Sequence, residues 1–556
     1  MLPQKNKFIN FLCLVLIVIF SASIFLHSDY AITQDLGRHL LLGKIIWQTK
    51  TVLSTNLLSY THPDFPFTNH HWGASVLLFF MDTVSGINGL IIWKVLFVTW
   101  AIIILFLFTQ KYSGNILVIL SSILALEILR DRTQIRPEIF AYLFFAILLV
   151  SFYREKERKT RVFISLPLLQ LIWVNLHVSF ILGIALYGLF LLDRFLTKRI
   201  TTSYIITGIF FTLASLVNPY FIHGALYPLK LFQNYGYSIV ENQSPFFLET
   251  LMSNPSITYY KISLVLIVLL VPFLLRKKYF FETFVVLLTG GLSFFAIRHF
   301  PFFALSLVLP LSLGLKILTS KIVRFIRLTK PLILAFQLLA TFTLVLIVIW
   351  ESYGLISNKY YYDHFMAQRF GWGQVRGLKD TMDYYIAHDL SGPIFNNFDI
   401  GSYVVYRLYP NEKVFVDGRP EAYPASFFQD VYIPMQENKD IWLQVDKLYN
   451  FKTIVYGHTD ATPWGKTFLS KIVDDPAWII RYFDDYGIIL TKINASNSYD
   501  KGSDNREFLR LLGTEKVSQE NEPDALARLA NLFYIAELPD LGNLTRLKAV
   551  QQARKT

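Results

Sequence analysis

The chain has 556 residues, 53% of them hydrophobic, and a mean hydropathy of +0.42. That balance excludes a water-soluble protein and puts most of the first ~350 residues in lipid. The net charge of +12 rests on Lys and Arg in short loops between apolar segments, which argues for cytoplasmic loops and against a nucleic-acid partner.

The basic N-terminus, Met1–Lys7, precedes an apolar run, Phe8–Leu26. The run is long enough to span and reads as an uncleaved anchor rather than a removed signal. It holds Cys13, the single cysteine, so one chain offers no disulfide and no thiolate metal site. Further spans are expected near 88–109, 115–130, 137–153, 162–175, 178–196, 202–217, 259–275, 279–297, 301–318 and 331–350. With the N-terminus inside, Lys111, Arg154–Arg161, Arg194–Arg199, Arg276–Lys278 and Lys321–Lys330 all fall on the cytoplasmic side. Residues 72–86 read as a helix lying on the outer surface, because a span there would turn Arg154–Arg161 outward. The outer loop 218–258 is rich in aromatics suited to headgroup level.

After Trp350 the apolar runs shrink. Pro393–Asn396, Ser402–Tyr406, Lys413–Val416 and Lys452–Tyr456 read as strands, alternating with helices near 372–389, 424–437 and 440–450. The fold class is thus a polytopic α-helical membrane protein of about eleven transmembrane helices with a C-terminal extracytoplasmic α/β domain. Its parts are a membrane domain over 1–350 with a large first outer loop, 28–87, an α/β domain over 351–493, and a polar linker with a helical tail over 494–556. No Walker loop, nucleophile elbow, HExxH or CxxC pair is present.

The polar residues able to do chemistry gather at one set of span ends. Asp35 and His39 follow the first span four residues apart, on one helical face. They suit a general base with its helper, or two ligands of a divalent cation such as Mg or Mn; a helix cap beside lipid headgroups is the plainer reading. Asp29 precedes them, and His70 and His71 close the same loop, fit for metal, phosphate or a surface. Arg136, Pro137 and Glu138 mark a second junction, where an arginine can grip a phosphate or merely snorkel. Asn175 with His177 and Arg298 with His299 end two more spans; interhelical hydrogen bonds would account for each alone. Beyond the membrane, Asn396–Tyr403 and Asp417-Gly418-Arg419 stand out, the latter first of all as a turn after a strand.

This order of motifs resembles the GT-C superfamily of integral membrane glycosyltransferases, whose members include protein O-mannosyltransferases and aminoarabinose transferases. The resemblance runs over about residues 8–490 and is carried by Asp35/His39, Arg136-Pro137-Glu138, Asn175/His177, Arg298-His299-Phe300-Pro301 and the Asn396 and Asp417 segments. The first loop departs from the pattern: Asp29 and Asp35 stand six apart instead of forming an adjacent acidic pair, and the second acid is Glu138 rather than Asp. The resemblance implies sugar transfer, with inversion, from a polyprenyl-phosphate donor to a lipid, glycan or protein acceptor. The site would face outward from the cytoplasmic membrane of a bacterium. It implies Asp35 as base, Arg136, Arg298 and His299 on the phosphate, His39 and Glu138 in support, and acceptor contacts from Asp29, His70, His71, Asn175, His177, Asp417 and Arg419. The alternatives are a flippase for lipid-linked sugars and a non-catalytic scaffold in envelope glycan assembly. A flippase calls for midplane charges and an inverted repeat; no repeat is seen, and Lys94 and Glu127 come nearest to midplane charges.

Overall fold

The computed structural model describes residues 7–29, 35–156, 165–230, 233–493 and 504–555. Residues 30–34 of the first loop, 157–161 of the expected basic cluster, 162–164 of an expected span and the linker residues 494–503 lie outside them.

Among the described residues, fourteen α-helices occupy the N-terminal two thirds: α1 (Lys7–Phe25), α2 (Leu36–Thr49), α3 (Trp72–Thr109), α4 (Asn115–Leu129), α5 (Glu138–Lys156), α6 (Leu166–Leu176), α7 (Phe180–Leu196), α8 (Thr202–Ala214), α9 (Phe221–Leu226), α10 (Pro245–Leu251), α11 (Pro255–Arg276), α12 (Phe280–Phe295), α13 (Phe300–Ile326) and α14 (Lys330–Ile356). All but α2, α9 and α10 coincide with segments read as spans. Five of the described segments are long and apolar enough to cross a membrane: Phe8–Phe25, Trp72–Thr109, Pro255–Arg276, Ile297–Ile326 and Lys330–Ile356. The chain is a multi-pass helical membrane protein. Helix α13 is central; every residue from Phe300 to Gly314 is buried, with α4, α11 and α12 packed around it.

Prolines and one glycine set the ends that matter. Pro137 immediately precedes α5, and Pro301 lies in the first turn of α13, where a missing N–H costs nothing. Arg136 and Arg298 are therefore left just outside helix starts. Gly86 breaks α3 into 72–85 and 87–109 with φ 61° and ψ −170°, a left-handed backbone that glycine adopts without Cβ strain. The first half of α3 is thus a separate helix, packed on α2.

The C-terminal region contains α15 (Lys359–Asp363), α16 (Lys379–Ala387), α17 (Phe398–Leu408), α18 (Ile433–Glu437), α19 (Lys439–Tyr449) and α20 (Pro463–Val473) around a sheet. The strands are β1 (Ile394–Asn396), β2 (Thr453–Gly457), β3 (Trp478–Phe483) and β4 (Gly487–Lys492), in the order β1-β2-β4-β3. The β1–β2 pair is parallel, and β4 runs antiparallel to both β2 and β3. Two expected strands are corrected. Ser402–Tyr406 lies in α17, whose Phe398, Ile400, Tyr403, Val404, Val405 and Leu408 are buried nearly all round, so a β-branched run reads as a strand in sequence yet fills a core helix. Lys413–Val416 forms no strand; Val414 makes one isolated bridge to Ser59. Helices α21 (Asn505–Gln519), α22 (Pro523–Ile535) and α23 (Pro539–Lys555) close the chain.

The first loop and the C-terminal region share a core. Leu41, Leu42 and Ile45 of α2 join Leu58, Tyr403, Val404 and Leu408 in one buried cluster. Each such side chain contributes roughly 1.5–3 kcal/mol when fully buried. That packing holds the start of α2 against the C-terminal region.

Candidate active site

Asp35 occupies the N-cap position of α2, yet its side chain caps nothing. One carboxylate oxygen lies 3.1 Å from Arg38 and the other 3.4 Å from Arg136. The plain cap reading is therefore not the one the geometry takes. On the far side is Gly418: a Cβ there would sit 3.4 Å from Asp35 Oδ1 and 3.1 Å from Ser402 Oγ. The C-terminal region thus closes over the carboxylate, and glycine leaves the room.

Arg136 also contacts Glu241, which accepts from Arg132 at 2.8 Å. Burial alone would raise the Glu241 carboxyl, but Arg132, Arg136 and Arg298 together hold it far below the usual carboxylate range. Arg298 donates to the neutral Asn242 side chain at 2.7 Å, and the Ile297 N–H donates to the Gln243 carbonyl at 3.1 Å. Loop 240–243 is thereby tied to the start of α13. Arg298 forms no ion pair among the described residues. His299 follows it, in the field of Arg298 and Arg132.

The histidines form one cluster, in which His71 stacks on His177. His39 and His71 rings lie 5.6 Å apart, His70 and His71 4.0 Å, and His71 and His177 4.8 Å. His70 also stacks on Tyr227 at 4.5 Å. His39 is 3.0 Å from Ser75 Oγ and His177 2.6 Å from Ser179 Oγ. Burial pushes His39, His71 and His177 well below the ordinary imidazole range, with neighbouring cations adding to it. His70 falls to about 3 through burial, helped by Arg38 and Arg298 and partly offset by the Thr68 carbonyl.

Asp399 lies in the first turn of α17, with its side chain exposed. Its carboxyl is raised to about 7, first by its poorly hydrated surroundings and then by the neighbouring acids Asp460 and Asp35. No cation pairs with it among the described residues. Glu421 is also raised by burial, with Arg38 opposing. Ser402, one helical turn beyond Asp399, is buried, and its hydroxyl makes no hydrogen bond among the described residues.

The remaining expected residues have partners of their own. Asp29 is buried against Lys94 at 3.1 Å and accepts from the Ile135 N–H. Asn175 accepts from Trp72 at 3.1 Å and donates to the Leu171 and Val217 carbonyls. Glu138 lies 3.9 Å from Arg132. Asp417 and Arg419 form a fully buried ion pair, and Arg419 also donates to Asn56 at 2.6 Å. These groups position backbone and helices. Asp35 and His39 part company, one toward guanidinium groups and the other into the histidine cluster. Among the described residues no group of three or more His, Cys, Asp or Glu side chains can hold a metal ion. With Asp35 and Glu241 already held by arginines, this donor set does not fit a divalent cation.

Arg38, Glu241 and Asp399 were not among the expected site residues. Arg38 carried a signal in its i,i+3 spacing from Asp35. Asp399 lies inside a segment that stood out without being assigned. Glu241 is a single acid in an aromatic loop and carried none.

The sequence matches no protein-family profile and no curated protein. Its three-dimensional likeness is to archaeal oligosaccharyltransferases of Archaeoglobus fulgidus. AglB in complex with an inhibitory peptide and a dolichol-phosphate aligns with a TM-score of 0.58 at 10% identity, over 99% of this chain and 86% of that one. An apo oligosaccharyltransferase from the same organism aligns at 0.53 and 11% identity, over 84% and 71%. A complex with Zn and sulfate aligns at 0.53 and 10%, over 98% and 85%. The fold is therefore shared with these archaeal oligosaccharyltransferases.

Proposed function

We propose that this chain is a membrane glycosyltransferase that moves a sugar from a polyprenyl-phosphate donor to a lipid, glycan or protein acceptor. The observation that carries this reading is Arg136, which joins a first-loop carboxylate, Asp35, to the arginine cluster around Glu241. A carboxylate suited to acid–base work thus stands beside groups suited to holding an anion. The dolichol-phosphate bound by the fold's archaeal relative supports a lipid phosphate as the donor anchor. We place eleven spans in the cytoplasmic membrane of a bacterium, the site on its outer face, and the region 351–493 outside with it.

In this reading the donor phosphate sits against Arg298, which has no carboxylate partner among the described residues, and against Arg136 and His299. The acceptor hydroxyl gives its proton to Asp35 as its oxygen bonds to the anomeric carbon. The bond from that carbon to the phosphate oxygen breaks, and the electron pair leaves with the polyprenyl phosphate, whose added charge the guanidinium groups stabilise. Direct attack inverts the sugar. Glu138 holds Arg132, and His39 packs among the histidines. A second assignment has a specific support: Asp399 feels the charge of Asp35, its carboxyl is raised to about 7, and no cation pairs with it among the described residues, so it fits the proton acceptor, with Asp35 orienting the hydroxyl.

The test is transfer by reconstituted protein given labelled polyprenyl-phosphate sugars. Wild type transfers the label, and Asp35→Asn and Asp399→Asn each abolish or sharply reduce transfer. Normal transfer by Asp35→Asn removes that residue from the base role. Movement of label across the bilayer without transfer overturns the transferase in favour of a flippase, and neither activity favours a scaffold.

A further inference from the structure

A cavity lies further along α2 from Asp35. It holds about 280 Å³, between α2, the first half of α3 and the end of α17. Leu40, Leu41 and Phe79 give it an apolar wall, and Tyr406 and Tyr409 line it beside Lys44 and Asp82. Lys44 and Asp82 have opposite charge and share this space, yet they form no ion pair with each other or with any described residue. The Tyr406 and Tyr409 hydroxyls make no hydrogen bond among the described residues either. Two separated, unpaired charges in one cavity complement a ligand that carries both signs.

The rim points to the source of that ligand. Trp47, Leu77 and Val84 are exposed on the same two helices, and Trp47 packs edge-on against Phe80 at 4.5 Å. Lys50 lies 3.2 Å over the Trp47 ring. Exposed Trp beside Lys is the composition of a surface at headgroup level. We propose that this cavity binds the headgroup of a zwitterionic aminophospholipid, with the phosphate at Lys44 and the primary ammonium at Asp82. The tyrosine hydroxyls donate to phosphate oxygens, and the acyl chains run along Phe79 toward Trp47 and Leu77. A phospholipid whose headgroup lacks the ammonium leaves Asp82 unpaired and facing a net negative charge. The site stands independently of the transferase reading.

The experiment uses the full chain in detergent micelles, titrated with dioleoyl phosphatidylethanolamine or dioleoyl phosphatidylglycerol. Retained lipid is counted by native mass spectrometry. Wild type retains the ethanolamine lipid at about tenfold lower concentration than the glycerol lipid, the size of one charge-assisted hydrogen bond. Asp82→Asn removes that preference, and Lys44→Gln weakens retention of both lipids by about the same factor. Equal retention of the two lipids by wild type overturns the proposal, and so does a preference that survives Asp82→Asn. Lys44 is exposed and bonded to no described residue, so Lys44→Gln tests the same cavity in a folded protein; retention unchanged by it also overturns the proposal.

Discussion

The Arg136 guanidinium lies 3.4 Å from the Asp35 carboxylate, although 101 positions separate them in the chain (136 − 35). The same side chain reaches Glu241. A fork that spans two acids from two different loops fixes where the first loop begins its helix, and it sets the distance between the Asp35 carboxylate and the arginines around Glu241.

Arg136→Lys keeps the charge and loses the fork. We expect kcat/KM for the lipid-linked donor to fall about 100-fold or more, the scale of losing one preorganised charge-stabilising donor. Steady-state transfer assays with a titrated donor check this. A variant within threefold of wild type would remove Arg136 from the phosphate.

The Asp399 carboxyl, raised to about 7, makes a pH prediction. If it accepts the proton, activity climbs as pH rises through about 7, and that limb disappears in Asp399→Asn while any Asp35-dependent limb remains. Stability runs the other way. The protonated form fits the fold better, so its contribution is complete below the unfolded value of about 4 and is lost as pH rises through about 7. Asp399→Asn therefore gains thermal stability over wild type at pH 8 more than at pH 5. Thermal scans at the two pH values decide the matter.

Asp417→Ala leaves Arg419 as an uncompensated charge with no exposure. Breaking a buried pair from one side costs about 3–5 kcal/mol. A large fall in the unfolding temperature is expected, along with faster tryptic cleavage of the C-terminal region. The double variant Asp417→Leu with Arg419→Met recovers most of the loss, since an apolar pair of similar size needs no partner.

The sidedness is testable with one cysteine. In a Cys13→Ser background, Arg154→Cys stays unlabelled by an impermeant maleimide in intact cells, while Leu448→Cys on the exposed face of α19 is labelled. Both side chains are exposed, so accessibility reports the side of the membrane. Labelling of the first and not the second would invert the proposed orientation.

Sequence periodicity located the helices well, because lipid demands long unbroken apolar runs and the chain supplies them between basic loops. It failed where burial is two-sided. Ser402–Tyr406 is β-branched and aromatic, yet packs as α17 between α2 and β2. The strands Trp478–Phe483 and Gly487–Lys492 escaped notice because one short hairpin carries little alternation. Within the site, Asp35, Arg136 and Arg298 were legible as polar residues at helix junctions. Glu241 was not, since its role is set by three arginines from two distant junctions, and no local pattern encodes a meeting of that kind. Asp29 and Asn175 stand at the same span ends, and each is bonded to a partner of its own, Lys94 and Trp72.

The clasp between Arg419, Asp417 and Asn56 has a practical corollary. A fragment beginning after Trp350 would strand a fully desolvated guanidinium without the amide it donates to, and would bare the leucines that α2 covers. The C-terminal region is thus no detachable cassette. Chimeras that exchange it between related chains must carry the segment around Asn56 along with it, and protease cuts in the intervening membrane helices will leave the two pieces held together.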